Sequence, residues 1–145
     1  MKREFMITAD GSSTIHLPDW NEQYHSKNGA LQEAYHVFIE AGLYKIAETV
    51  KNIAVLEIGF GTGLNAFITF LESDRFSLNI DYIGIEAYPV CEDELENLNY
   101  VTLLNAESKK NVFKKMHTVD WNEKQSISTH FFLTKRKQFF EDITD

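Results

Sequence analysis

The stretch "VLEIGFGTGLN", residues 55 to 65, constrains the fold of this chain more than any other. Three glycines on alternate positions separate a short apolar run from residues with helical spacing. The run "IAVLEI", 53 to 58, is partly β-branched and too short for a helix, which predicts a strand buried on both faces. After the glycines, Leu64, Phe67, Ile68 and Leu71 fall on one helical face. "NIDYIGIEAYP" supplies a second strand, with Pro89 placed in the first turn of a helix through Leu98. Farther on, the pattern predicts a basic helix in "SKKNVFKKMH", a third strand in "SISTHFFLT" and a short helix in "KRKQFFEDI". Strands alternating with helices imply a parallel sheet with right-handed crossovers, the doubly wound α/β architecture.

Upstream, "EFMITADGSSTIHLP" reads as two short strands around the Asp10-Gly11 turn. In "ALQEAYHVFIEAGL", Leu31, Ala34, Tyr35 and Phe38 make one apolar helical face, and Gly42 is placed to end that helix before a second short one over 43 to 51. The expected division is therefore 1–52, an N-terminal hairpin and helical segment, and 53–145, the α/β part. A formal charge of -8 and a pI near 5.1 argue against a surface built mainly to attract phosphates. One cysteine, Cys91, excludes a disulfide framework and a cysteine-based zinc site, so the expected compartment is the reducing cytoplasm. The opening residues carry no apolar core of signal-peptide length, and no stretch approaches a membrane span.

In an open α/β sheet the ligand sits beyond the carboxyl ends of the strands, over the first turn. Gly59, Gly61 and Gly63 occupy that turn with G-x-G-x-G spacing. A dinucleotide fingerprint wants its third small residue where this chain has Leu64, and no Gly-Lys-Ser/Thr follows, which disfavours NAD or FAD and excludes a P-loop. S-adenosylmethionine remains, because its amino-acid carboxylate suits a helix N-terminus. Glu86 closes the second strand roughly 20 residues later, where an acid accepts hydrogen bonds from ribose hydroxyls.

Together, "DGSSTI", "YHSKNGALQEAYHVFIEAGL", "LEIGFGTGLNAF" and "GIEAYP" resemble the methyltransferase family that forms 5-methylaminomethyl-2-thiouridine at the wobble position of certain tRNAs. The resemblance is close over residues 10 to 89. It implies a class I, Rossmann-like methyltransferase fold and methyl transfer from S-adenosylmethionine to the primary amine of 5-aminomethyl-2-thiouridine. It further implies an FAD-dependent oxidase, fused in some relatives, that prepares the amine. Carried over, Gly59, Phe60, Gly61, Thr62, Gly63 and Asn65 hold the methionine end and Glu86 the ribose, while Tyr24, Ser26 and Glu33 belong to a segment folded over the pocket.

Two departures from the family pattern stand out. Where class I methyltransferases often place an acid after the third strand, the sequence has Thr134-Lys135. The family's fourth strand and Asp-Ala/Gly-Phe-x-Pro motif are absent from the sequence, whose last residues are "FFEDITD". The expectation is thus a fold truncated after its third sheet strand, with a bare first-strand edge prone to self-association. No base is assigned: Asp142 and Asp145 lie near the right place in sequence but outside the family's aromatic-proline context. Lys109, Lys110, Lys114, Lys115 and "KRK" at 135 to 137 read as solvated faces before they read as tRNA contacts. The pairs Phe131-Phe132 and Phe139-Phe140 read as core. His25 and His36 lack the clustered partners of a metal site. A catalytically silent S-adenosylmethionine-binding or assembly module is the alternative function.

Overall fold

Seven residues, Asn52–Ile58, form the strand that leads into the glycine turn. In the computed structural model, described over residues 1–143, this strand lies at the edge of a four-stranded sheet. In chain order the elements begin with β1 Glu4–Ile7, β2 Ser13–Leu17 and β3 Glu22–Gln23, an antiparallel sheet whose first turn holds Asp10-Gly11 as expected. A helical run follows: α1 Ala30–Glu33, a π-helical stretch Ala34–Leu43, and α2 Tyr44–Ala47. Then come β4 Asn52–Ile58, α3 Leu64–Phe76, β5 Asn79–Glu86, α4 Glu92–Glu96, α5 Tyr100–Leu103, a 3-10 turn Glu107–Lys109, α6 Lys110–Thr118, β6 Lys124–Ser126, β7 Phe131–Lys137 and a 3-10 turn Phe140–Asp142. The large sheet runs β4-β5-β7-β6, parallel except for β6 against β7.

The run 30 to 47 is continuous, so Gly42 does not end a helix. In its π-helical middle, each hydrogen bond spans five residues rather than four, which brings Ala34, Ile39 and Leu43 into the core. The first turn of this run is capped by the β1–β2 turn instead of by its own neighbours. Ala30 N–H donates to Ser12 Oγ at 3.0 Å, and Gln32 N–H to Asp10 Oδ2 at 3.0 Å. Asp10 also accepts from Thr8 Oγ at 2.8 Å and from Ser12 N–H at 3.0 Å.

Three further expectations are corrected. Pro89 lies outside α4, whose N-cap is Cys91, with Glu94 accepting the Cys91 N–H at 2.8 Å. The segment 126 to 134 is not one strand: β6 turns back on β7 through residues 127 to 130. "KRK" belongs to β7, because Lys135 points inward and extends the parallel pairing to Glu86↔Lys137. The residue after the third parallel strand is therefore Gln138, and Thr134-Lys135 lie within it.

The strand read as buried on both faces is buried on one. Register aligns Ile53, Ile80 and Phe131, then Val55, Tyr82 and Leu133, on the face that carries the core with Ile39, Phe67, Phe70, Phe113 and Met116 from the helices. On the other face Leu56 is 59% exposed, Ile58 47% and Phe132 36%, while Ile85 is buried. Among the described residues, only β5 pairs with β4, leaving its other edge open.

Candidate functional site

The site is built on β4 and β5 because parallel strands present all their carboxyl ends on one side. Gly59 N–H and Phe60 N–H both donate to Ile85 O at 2.9 Å, which ties the turn across to β5. Gly61 N–H donates to Glu86 Oε2 at 2.8 Å, and Tyr88 N–H to Glu86 Oε1 at 2.8 Å. The Glu86 carboxylate, only 8% exposed, thus joins the glycine turn to the loop after β5.

Gly61 and Gly63 have positive φ, 51° and 71°. Each is also hemmed in: a Cβ at 61 would lie 3.1 Å from the Tyr24 ring, and one at 63 would lie 2.8 Å from His117 Nε2. Glycine is therefore required on conformational and steric grounds. Gly63 is the N-cap of α3, and no side chain caps that helix, so its first N–H groups are left for other acceptors. Phe60 differs from its neighbours. Its ring is buried over Gly84 and against His117, so toward a ligand it offers backbone rather than side chain.

A cavity of about 370 Å³ opens beside this turn, lined by Tyr24, His25, Glu33, Glu57, Gly59, Phe60, Gly61, Thr62 and Asn65, with Val37 and Phe38 from the π-helical stretch. Ser26 and Glu86 are not among its lining residues. Ser26 N–H donates to Glu33 at 2.7 Å, closing the segment that carries Tyr24 over the turn. Thr62 Oγ accepts from Tyr100 Oη at 3.1 Å, which turns its side chain into the core. Asn65 donates to Glu57 at 2.8 Å. A larger cavity, about 800 Å³, lies among α4, α5 and α6, but its charged lining residues Glu92, Glu96, Glu107, Lys110 and Lys114 are all exposed on short helical elements, and it lacks the glycine turn's backbone donors.

The sequence motifs do not single out Glu57, Tyr82 and His117. Glu57 is 6% exposed, and burial raises its carboxyl to about 7 against the bonds from Tyr82 and Asn65. Tyr82 Oη donates to it at 2.8 Å from the centre of β5. An acid interrupting the otherwise apolar "IAVLEI" was the available signal. His117 Nε2 sits 3.1 Å from Thr62 O, so the ring supports the turn from α6; burial first, then Lys135, pulls its imidazole down to about 4, leaving it neutral with Nε2–H as donor. His25, also pulled down by burial to about 4, is held by Thr14 Oγ at 2.9 Å.

The basic residues are largely spoken for. Lys109 pairs with Asp74 at 2.8 Å, Lys114 lies 3.9 Å from Glu92, Lys115 donates to Ser126 O at 2.6 Å, and Lys135 is buried over the Trp121 ring. Of the aromatic pairs read as core, Phe131 is buried, whereas Phe139 and Phe140 are 48% and 71% exposed. Asp142 is exposed, and Asp145 lies outside the described residues. Among the described residues no group of His, Cys, Asp and Glu could hold a metal ion, and no helix is long and apolar enough to cross a membrane.

No family model matches the chain. The tRNA 5-methylaminomethyl-2-thiouridine biosynthesis bifunctional protein MnmC of Leptospira interrogans is 35% identical over 98 residues, covering 62% of this chain and 15% of that protein. The protein of the same name from Cupriavidus metallidurans is 31% identical over 100 residues, covering 66% of this chain and 15% of that protein. The chain thus spans a small part of the curated relatives it matches. A crystal structure of MNMC2 from Aquifex aeolicus superposes with a TM-score of 0.64 at 24% identity, over 92% of this chain and 41% of that one, and so shares the fold. These relatives bear out the family resemblance drawn from the sequence.

Proposed function

We propose that the chain, by these identities a relative of the MnmC proteins, is the S-adenosylmethionine-binding part of a class I methyltransferase that acts on the wobble uridine of tRNA, methylating the amine of 5-aminomethyl-2-thiouridine. The observation that carries this reading is the interlock of Gly61 N–H with Glu86 at 2.8 Å, at the carboxyl ends of β4 and β5 and beneath Tyr24.

The donor set suits the cofactor. Backbone at Gly61 and Gly63 is approachable because no Cβ intervenes, and the uncapped start of α3 favours a carboxylate. Each Glu86 oxygen accepts one backbone N–H and retains a second acceptor position, enough for two ribose hydroxyls. When bound, S-adenosylmethionine supplies an electrophilic methyl group on its sulfonium. The chain's own residues fix geometry: the glycine turn and Glu86 set the depth of the site, Asn65 is held by Glu57, and Tyr24 with the Ser26–Glu33 hydrogen bond covers it. Alignment of this kind contributes much of the rate of a methyl transfer to nitrogen. The amine must be neutral to react, so a nearby acceptor has to take its proton; no side chain of this chain is assigned that role.

"Bifunctional" in the relatives' name fits a second activity in those proteins. The proposal makes that activity the FAD-dependent oxidase that prepares the amine, and places the protein in the cytoplasm. A silent S-adenosylmethionine-binding module predicts the same binding and differs only in turnover.

Calorimetric titration of the chain with S-adenosylhomocysteine tests the reading. Binding should weaken tenfold or more in Glu86→Ala and less in Glu86→Gln, which keeps an acceptor for Gly61. A chain with native far-UV circular dichroism that binds no S-adenosylhomocysteine would overturn it.

A further inference from the structure

Three exposed aromatic rings from three separate segments meet at the carboxyl end of the large sheet. Trp20 comes from the β2–β3 turn, Tyr88 from the loop after β5, and Phe139 from the residues after β7. They are 55%, 43% and 48% exposed. Trp20 and Tyr88 have centroids 6.2 Å apart at 68°, and Tyr88 and Phe139 are 5.7 Å apart at 81°. Rings that only partly bury one another keep faces in water, and three together are more than the scattered single exposed apolar residue of an ordinary surface.

The strip is anchored to the glycine turn. Tyr88 N–H donates to Glu86 Oε1, and the same carboxylate holds Gly61 N–H through Oε2, both at 2.8 Å. From the other side Arg3 donates to Tyr88 O, to Pro89 O at 3.2 Å and to Glu94 at 2.8 Å, with its guanidinium 5.9 Å from the Tyr24 ring. One carboxylate therefore separates the strip from the turn that the proposed cofactor occupies. Just before Phe139, Arg136 and Lys137 are exposed and in no ion pair among the described residues, unlike Lys109, Lys114 and Lys124.

We infer that Trp20, Tyr88 and Phe139 form a stacking platform for unpaired bases of the substrate RNA, with the exposed Lys137, two residues before Phe139, as the cation offered to its phosphates. This rests on the tRNA reading above and says how the RNA is held. Aromatic rings take any base by its π-face, so such a platform selects single-stranded loops over paired stems. Glu141 and Asp142, exposed just after Phe140, balance Arg136 and Lys137 in local charge, so stacking outweighs charge here and the salt dependence of binding is shallow.

The test uses the intact chain and an anticodon stem-loop RNA, with the same strand annealed to its complement as the paired control. Trp20 is its own probe, because a base stacked on indole quenches its fluorescence. The stem-loop should quench Trp20 and bind more tightly than the duplex. Trp20→Ala and Phe139→Ala should each weaken stem-loop binding about tenfold or more. Trp20→Phe should retain affinity and lose the quench. Equal affinity for stem-loop and duplex, or unchanged affinity in both alanine variants, overturns the platform. So does loss of self-association in those variants with RNA affinity intact, which would make the strip a protein contact. Titration with S-adenosylhomocysteine in the same samples keeps the two failures apart: a chain that binds S-adenosylhomocysteine but stacks no RNA loses the platform alone, whereas one that binds neither loses the methyltransferase reading as well.

Discussion

The two faces of the large sheet are similarly apolar in sequence and opposite in fate. On one, Ile53, Val55, Tyr82, Phe131 and Leu133 meet the helices. On the other, one residue along each strand, Leu56, Ile58 and Phe132 stand in water among the described residues. Period-two alternation fixes which residues share a face but says nothing about whether another layer covers it. The covered face is covered because α3 and α6 bring Phe67, Phe70 and Phe113 to it, and because the β1–β2 turn caps the helical run that brings Ile39 and Phe38.

That contrast can be broken most sharply with one truncation on each face. Phe131→Ala should cost about 3–5 kcal/mol in urea unfolding, since the ring is fully buried against Phe70 and Tyr82. Leu56→Ala should stay within about 0.5 kcal/mol if its face meets only water. A comparable loss at both positions would mean that a second molecule covers the open face in solution. Sedimentation then decides: the open β4 edge beside Leu56 and Ile58 should drive concentration-dependent association, and Leu56→Lys should abolish it. A wild-type chain that stays monomeric would remove the edge as a pairing surface.

Glu57 tests the covered face from within. Its folded carboxyl sits at about 7 against an ordinary 4.5, burial being the leading cause. A raised acid holds its proton more tightly in the folded state. Its stabilisation is therefore fully present below about pH 4.5 and is lost as pH rises through about 7. The shift corresponds to about 3 kcal/mol at most, at 1.36 kcal/mol per unit. Glu57→Gln should flatten urea stability across that window and leave the slope below it unchanged. An unaltered slope would show that Glu57 is solvated in the native state.

The central motif was legible because its causes are local. Alternate glycines, an apolar run before them, helical spacing after them and an acid at the end of the next strand are all short-range signals; that Glu86 bonds Gly61 N–H was not among them. What escaped reading depends on distant partners. Nothing near Gly42 announces a π-helical winding that carries the helix onward to Ala47. Lys135 is unreadable as a core residue until α6 offers the His117 carbonyl and Trp121 offers its ring face. Phe139 looks like core in sequence, and only the fold sets it at the surface beside Tyr88, which itself meets Trp20.

The smaller of the two pH-dependent effects lies in the small sheet, at Asp10, and it asks how firmly that sheet holds the helix covering the large one. Burial works to raise the Asp10 carboxyl, but the bonds from Ser12, Gln32 and Thr8 outweigh it and hold it at about 2, against an ordinary 3.8. A depressed acid contributes stability that is present above about pH 3.8 and is lost as pH falls through about 2. Because Asp10 is exposed, solvent screening limits that contribution to less than about 1 kcal/mol. Asp10→Asn keeps a capping oxygen for Gln32 N–H and removes the charge, so it should change little at neutral pH and make the acid limb of the stability curve shallower. An acid limb identical to wild type would mean that the cap works through hydrogen bonding alone. A variant that is weakened at neutral pH as well would mean that the charge itself anchors the first turn of the helix, and with it the Phe38 ring that covers Tyr82.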